Sequence, residues 1–195
     1  MNSTIYLEYN NVRIRPLEQR DIESLRVWRN DTETSKYLTA HNNITREMQE
    51  KWYRDYLSDE SLFIWAISSI TEVENLVGSA ALYNFRNKTC EQGKIMIAPK
   101  YSRRGFGKTA LIMIAHIGFS IMNVVEIDAR VNANNIASLQ LFKSIGYIVH
   151  GDQKFNNNDD NESYLIITKE AFYRHNQLVF DFNLISEKKH NYESE

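Results

Sequence analysis

The sequence predicts a single α/β (α+β) domain, on three observations. Its 195 residues are 43% hydrophobic with a formal net charge of -2, which suits one chain folded around a sizeable core. Apolar residues alternate in several short runs and recur at helical spacing in others, so strands and helices follow one another along the chain. Between two such runs lies Arg103-Arg104-Gly105-Phe106-Gly107-Lys108-Thr109, after Ile95-Met96-Ile97-Ala98-Pro99 and before the apolar stretch Ala110 to Met122. That arrangement reads as strand, turn, glycine loop and helix.

Val12 to Leu17 alternates like an edge strand closed by Pro16, and Asp21 to Trp28 carries Ile22, Leu25 and Trp28 on one helical stripe. Thr45 precedes a second helix with Met48, Trp52, Tyr53 and Tyr56 on its stripe. Leu62 to Ile67 and Leu76 to Phe85 read as strands joined through the polar turn Ser68 to Asn75, and Cys90 to Ile97 follows them. After the glycine loop and its helix, Val124 to Val131 alternates with Val125, Ile127, Ala129 and Val131 on one face. Asn134 or Asn135 caps the next helix and Gly146 ends it. Tyr147 to His150 and Tyr164 to Thr168 are the last two strands, around the turn-rich Asn156 to Asn161. The whole is about seven strands and about four helices. Residues 1–169 form the domain, and 170–195 form a C-terminal extension, partly disordered, in which Leu178, Phe180, Phe182 and Leu184 alternate as an extra strand would.

Composition excludes several classes. The near-neutral charge argues against nucleic acid or another polyanion as partner. No segment approaches the roughly 20 apolar residues of a membrane span, and no membrane partner is expected. Met1 to Asn11 is polar and lacks the apolar core of a signal peptide, so the expected location is cytoplasmic. One cysteine, Cys90, rules out an internal disulfide and a Cys-rich zinc site, and it reads as a buried small hydrophobe. The histidines, His41, His116, His150, His175 and His190, have no metal-ligand spacing, and no metal is expected.

A glycine loop that opens a helix presents unpaired backbone N–H groups at the positive end of the helix dipole, a site for a pyrophosphate. The missing Cβ atoms of Gly105 and Gly107 would let an anion approach closely. A Walker loop needs an earlier glycine that is absent here, although Gly107-Lys108-Thr109 supplies its last letters. A dinucleotide loop would place its acidic residue near Asp128. Both loops normally belong to a first βαβ unit, and this one lies past the middle of the chain.

Arg104-Gly105-Phe106-Gly107-Lys108-Thr109 resembles the coenzyme A loop of the Gcn5-related N-acetyltransferase (GNAT) family at its first and fourth positions, and departs at Thr109. Asn132 to Tyr147, with Asn135, Ser138, Leu139, Phe142, Gly146 and Tyr147, is similar to a second segment of the family. The resemblance covers at least Val12 to Thr168. It implies a central, twisted, mixed and mostly antiparallel sheet, with acetyl-CoA as co-substrate and a primary amine as acceptor. In the family, splayed fourth and fifth strands hold the pantetheine arm, a role that falls on Lys94, Ile95, Met96 and Ile97. Backbone donors from Arg104 to Lys108 would take the pyrophosphate, with the Arg103, Arg104 and Lys108 side chains adding charge and Thr109 closing the loop. Asn135 matches the family's asparagine on the coenzyme arm and is equally an N-cap. Phe142 stands where many relatives carry a tyrosine that protonates the thiolate, and phenylalanine cannot do so. Tyr147, Tyr83 or water are the substitutes.

Acyl transfer to an amine needs a base, because an alkylamine is almost wholly protonated at neutral pH. Glu91 is the first candidate, on a strand face expected to carry Gly93 and Ile95 too; Glu126 ranks below it. Acceptor recognition is expected in the first two helices and their connection, from Trp28, Arg29 and Tyr37 together with Tyr83, although Trp28 also fits a core role. Trp28-Arg29-Asn30 and Thr89-Cys90-Glu91-Gln92-Gly93 resemble acetyltransferases that modify amino groups on nucleotide-linked sugars, and the Leu17 to Asn30 arrangement also resembles the ribosomal-protein branch. The reading is an N-acetyltransferase acting on a small-molecule amine, an amino sugar linked to a nucleotide among the candidates. The alternatives are acetylation of a protein N-terminus and a non-catalytic acyl-CoA-binding module. A homodimer stays open.

Overall fold

The computed structural model of the chain describes residues 5–37, 43–72, 76–154, 161–176 and 183–187. In chain order the elements are β1 (Ile5–Tyr9), β2 (Val12–Pro16), α1 (Ile22–Asn30), α2 (Thr32–Ser35), α3 (Arg46–Ser58), β3 (Phe63–Ser69), β4 (Leu76–Arg86), β5 (Thr89–Ile97), α4 (Phe106–Ser120), β6 (Glu126–Asn132), α5 (Ile136–Lys143), β7 (Ile148–Lys154), β8 (Asn161–Thr168), α6 (Lys169–Asn176) and β9 (Asn183–Glu187). The strands form one sheet in the order β7-β8-β6-β5-β4-β3-β2-β1-β9. All neighbours are antiparallel except β5 and β6. That parallel pair needs a crossover, and α4 supplies it. None of these helices is long and apolar enough to cross a membrane.

The described residues thus hold nine strands and six helices, more than the pattern predicts. β1 arises from Ile5, Leu7 and Tyr9, and a two-residue turn with Asn10 at φ 54° pairs Tyr9 with Val12. β2 is therefore an interior strand between β1 and β3, not the expected edge; Pro16 is tolerated because it is the last residue of the strand. The expected boundary at residue 170 does not separate two packing units. Phe172 of α6 is buried against Phe119 of α4 at 5.2 Å, and β9 pairs with β1, Leu184 opposite Leu7. Leu178, Phe180, Phe182 and residues 188–195 lie outside the described residues.

Two apolar layers cover the sheet. On one face α4 buries Leu111, Met113, Ile114 and Phe119 among others, apolar almost all round as a helix enclosed on several sides must be. On the other, α1 and α3 lay Leu25 and Tyr56 on Ile64, Ala66 and Ala81. The Tyr56 hydroxyl meets the backbone of Ile64, and burial pushes its pKa up to about 12. Thr45 caps α3 by accepting from Met48 N–H. Asn30, closing α1, holds Ile44 by both its amide oxygen and nitrogen, which fixes where the chain returns to start α3.

Candidate active site

The site is organised by one irregularity in β5. Between the pairs Ser79↔Met96 and Ala81↔Gly93, one residue of β4 faces two of β5, a bulge at which Lys94 takes φ 49°. Before it, Cys90 and Gln92 face α4, and Glu91 and Gly93 face the α1–α3 side. The extra residue resets the alternation. Ile95 and Ile97 point back toward α4 and Gly107, while Met96 joins the α1–α3 layer. The face expected to carry Glu91, Gly93 and Ile95 together is therefore broken at Lys94.

Glu91 is 4% exposed. The Tyr83 hydroxyl donates to its Oε1 at 2.6 Å and the Asn84 amide to its Oε2 at 3.0 Å, with Arg130 Nε 3.9 Å from Oε2. The Tyr83 phenol reaches this position because Gly93 leaves room: a Cβ there would lie 2.7 Å from the hydroxyl oxygen. Burial, and then the Glu91 carboxylate, push the Tyr83 pKa far above its usual range, so the group is a protonated donor. Lys94 Nζ stands over the Tyr83 ring, 4.7 Å from its centroid. Burial, and next Arg29, lower the Lys94 pKa.

Beside Glu91 the sheet opens. The ladder between β5 and β6 runs through Thr89↔Glu126, Cys90↔Ile127 and Glu91↔Asp128 and stops there, while β6 continues to pair with β8 as far as Asn132. Asp128, the acidic residue of the dinucleotide-loop reading, is buried at this last rung and bonded to Arg86. On the α1–α3 side lies a cleft of about 470 Å³, walled by Lys94 to Ile97, Ser79, Pro99 and Ser102 and by Leu25, Arg29, Glu33, Thr34, Gln49, Trp52, Leu62 and Ile64. Arg29 lies in that wall as expected. Trp28 packs between the two apolar layers, and Tyr37 lies beyond α2, exposed beside Lys36; neither lines the cleft. Gln49, Trp52, Glu33 and Ser79 escaped sequence reading because they meet only when three helices fold over the strands.

At the mouth, Arg103 at φ 61° and Gly105 at φ 86° turn the chain into α4, and Gly105 brings no side-chain cap. The first turn of α4 carries no acidic residue. Arg103 and Lys108 are exposed and Thr109 is half-buried. Arg104 does not reach over the loop; its guanidinium donates to Glu72 at 2.9 Å and lies over the Tyr101 and Phe106 rings. The Phe106 side chain is buried. A Cβ on Gly105 would meet nothing, whereas one on Gly107 would touch Ile95, Ile97 and Leu141 at 3.5 Å. Those are ordinary van der Waals distances, so only Gly105, at its positive φ, is required by the backbone.

Three residues of the second motif fall elsewhere. Asn135 caps α5, accepting from Ser138 N–H at 3.1 Å. Tyr147 is buried on the α4 side of the sheet, across from Glu91, and donates to Gln92 Oε1 at 2.8 Å, while Gln92 Nε2 donates to the Leu111 carbonyl. Its hydroxyl is committed to the core, away from the cleft, which removes it as the acid. Phe142 packs edge-on against that ring at 5.1 Å and is core as well. His116 meets Tyr173 at 3.0 Å, and Cys90 is buried with its thiol pushed up to about 12. His41 and His190 lie outside the described residues.

The sheet thus opens beside its one parallel pair, with the glycine loop before α4 and the held Glu91 carboxylate near that opening. The model of the acetyltransferase (GNAT) domain matches residues 11–148, and the chain belongs to that family of N-acyltransferases. It is 27% identical over 165 residues to alpha/beta-tubulin-N-acetyltransferase 9 of Drosophila melanogaster, covering 76% of this chain and 80% of that protein. It is 20% identical over 143 residues to spermidine N(1)-acetyltransferase of Escherichia coli K12, covering 73% and 76%. Among solved structures, spermidine N-acetyltransferase from Vibrio cholerae, in complex with CoA and spermine, superposes with a TM-score of 0.73 at 20% identity, over 83% of this chain and 98% of that one. A GNAT-family acetyltransferase from Bacillus anthracis gives 0.74 at 23%, over 85% and 99%.

Proposed function

We propose that this protein transfers the acetyl group of acetyl-CoA to a primary amine, with Glu91 as the base. The observation that carries the reading is the early end of the β5–β6 ladder at Glu91↔Asp128, which leaves the Lys94–Ile97 backbone beside a cleft and in line with the α4 loop. Backbone donors of that loop, with Arg103 and Lys108, would hold the pyrophosphate. The acceptor arrives as an ammonium and must lose a proton before its lone pair can attack the thioester carbonyl. Glu91 is enclosed and both its oxygens already accept, so the proton reaches it through Tyr83: the hydroxyl oxygen receives one proton as its own passes to Oε1. Attack forms the C–N bond, and a backbone N–H of Lys94–Ile97 meets the oxyanion. Collapse breaks the C–S bond, and the thiolate takes its proton from solvent, since Tyr147 is held across the sheet.

A thiol-release assay with acetyl-CoA against simple amines, amino sugars, polyamines and peptides tests this. Amine-dependent release is expected, with Glu91→Gln lowering kcat by at least about 100-fold at unchanged coenzyme affinity, the scale of a lost general base. Coenzyme binding without release on any amine would leave the acyl-CoA-binding module instead. A polypeptide amine is a second reading, favoured by the likeness to the Drosophila protein.

A further inference from the structure

The cleft wall holds two cations and, among the described residues, one carboxylate: Arg29 at the end of α1, Lys94 at the bulge, and Glu33 on α2. Arg29 makes no ion pair or hydrogen bond among the described residues, and Lys94 stands over the Tyr83 ring with the Glu91 carboxylate acting on it through space. Gln49, on α3, is 3% exposed and lines the same cleft, yet its amide has no hydrogen-bond partner among the described residues. That amide opens to the cleft and offers both a donor and an acceptor to a group that enters it. Leu25 and Trp52 supply an apolar wall between these polar points. A polycation would meet Arg29 and Lys94 in the same wall, and like charges repel.

We infer that the acceptor amine carries an anionic group, a phosphate or carboxylate, and that Arg29, Lys94 and Gln49 form the subsite that holds it. The inference rests on the transferase reading and gives it a substrate class. That class differs from the spermidine in the names of the structural neighbours. A guanidinium offers a fork of donors to such a group and the Gln49 amide a further one, while Lys94 adds a point charge.

The test compares matched acceptors by thiol release: glucosamine 6-phosphate against glucosamine, an aspartyl against an alanyl dipeptide, and spermidine. Expected is a kcat/KM at least about tenfold higher for the anionic member of one pair, the worth of one charge-assisted contact. The pair showing it identifies the source as phosphate or carboxylate. Arg29→Ala should erase the preference with coenzyme KM unmoved, Arg29→Lys should restore part of it, and Gln49→Leu should raise the acceptor KM. Equal rates within both pairs, preference for spermidine, or a preference that survives Arg29→Ala would overturn the inference while leaving the transferase standing. If no amine is acetylated, calorimetric titration of glucosamine 6-phosphate and the aspartyl peptide into CoA-saturated protein decides. Binding that weakens in Arg29→Ala supports the subsite, and no binding of either overturns it.

Discussion

At Gly93 a missing methyl group decides whether a phenol reaches a carboxylate. Because the atom a Cβ would strike is the far end of the Tyr83 side chain, Gly93→Ala should leave the fold intact and swing the hydroxyl away from Glu91. The expected result is a fall in kcat matching that of Tyr83→Phe, with coenzyme KM unchanged and no further loss in the double variant, because both changes cut one contact. Steady-state kinetics of the three variants check it, and additive losses would show that Tyr83 and Gly93 act separately. At this scale the sequence was legible where a residue's role is local. The Asn135 cap follows from neighbours a few positions away. Tyr147 was misread because its partner, Gln92, lies 55 positions away in the chain and on the opposite face of the sheet from the cleft.

Strand and helix identities were readable from periodicity, but register was not, since a period-two reading assumes that no residue is inserted. The Lys94 bulge violates that assumption and turns Ile95 to the other face. It also brings β4 and β5 unusually close: a Cβ at Gly78 would stand 2.1 Å from the Met96 carbonyl oxygen, a backbone atom that cannot rotate aside. Gly78→Ala should therefore cost about 1–3 kcal/mol, the usual price of overpacking, and weaken coenzyme binding because β5 must shift. Denaturant midpoints and calorimetric titration measure the two effects, and a variant normal in both would mean that β4 yields without moving β5. β1 and α2 were missed for another reason. Five and four residues are too few for a periodic signal to rise above composition.

Over the whole molecule, β9 and the coenzyme loop stand at different parts of the sheet, with β4, β3, β2 and β1 between β5 and β9. A chain ended at residue 176 should bind the coenzyme normally, yet melt several degrees lower, about 1 kcal/mol for a domain of this size. The lowered stability follows from the unpaired edge it leaves on β1. Scanning calorimetry with and without CoA checks it, and a lost coenzyme affinity would show that the C-terminal strand supports the site. The overall order of elements was visible from the two ordered motifs, and an extra strand was expected in the tail; its partner was not legible, because pairing with β1 joins the two ends of the chain and no local pattern reports such a closure.

The three-rung seam between β5 and β6 has a consequence in time. Strands β2 to β5 and the pairs around β8 close between sequence neighbours or near neighbours, but the seam can close only after the whole of α4 has crossed the sheet, and long-range parallel pairing is slow. The two halves of the molecule then meet late along the line where Glu91, the opened backbone and the loop before α4 come together. A nascent or partly refolded chain would already hold much of its secondary structure and still have nowhere to bind a thioester, so catalysis begins only when the final docking step ends.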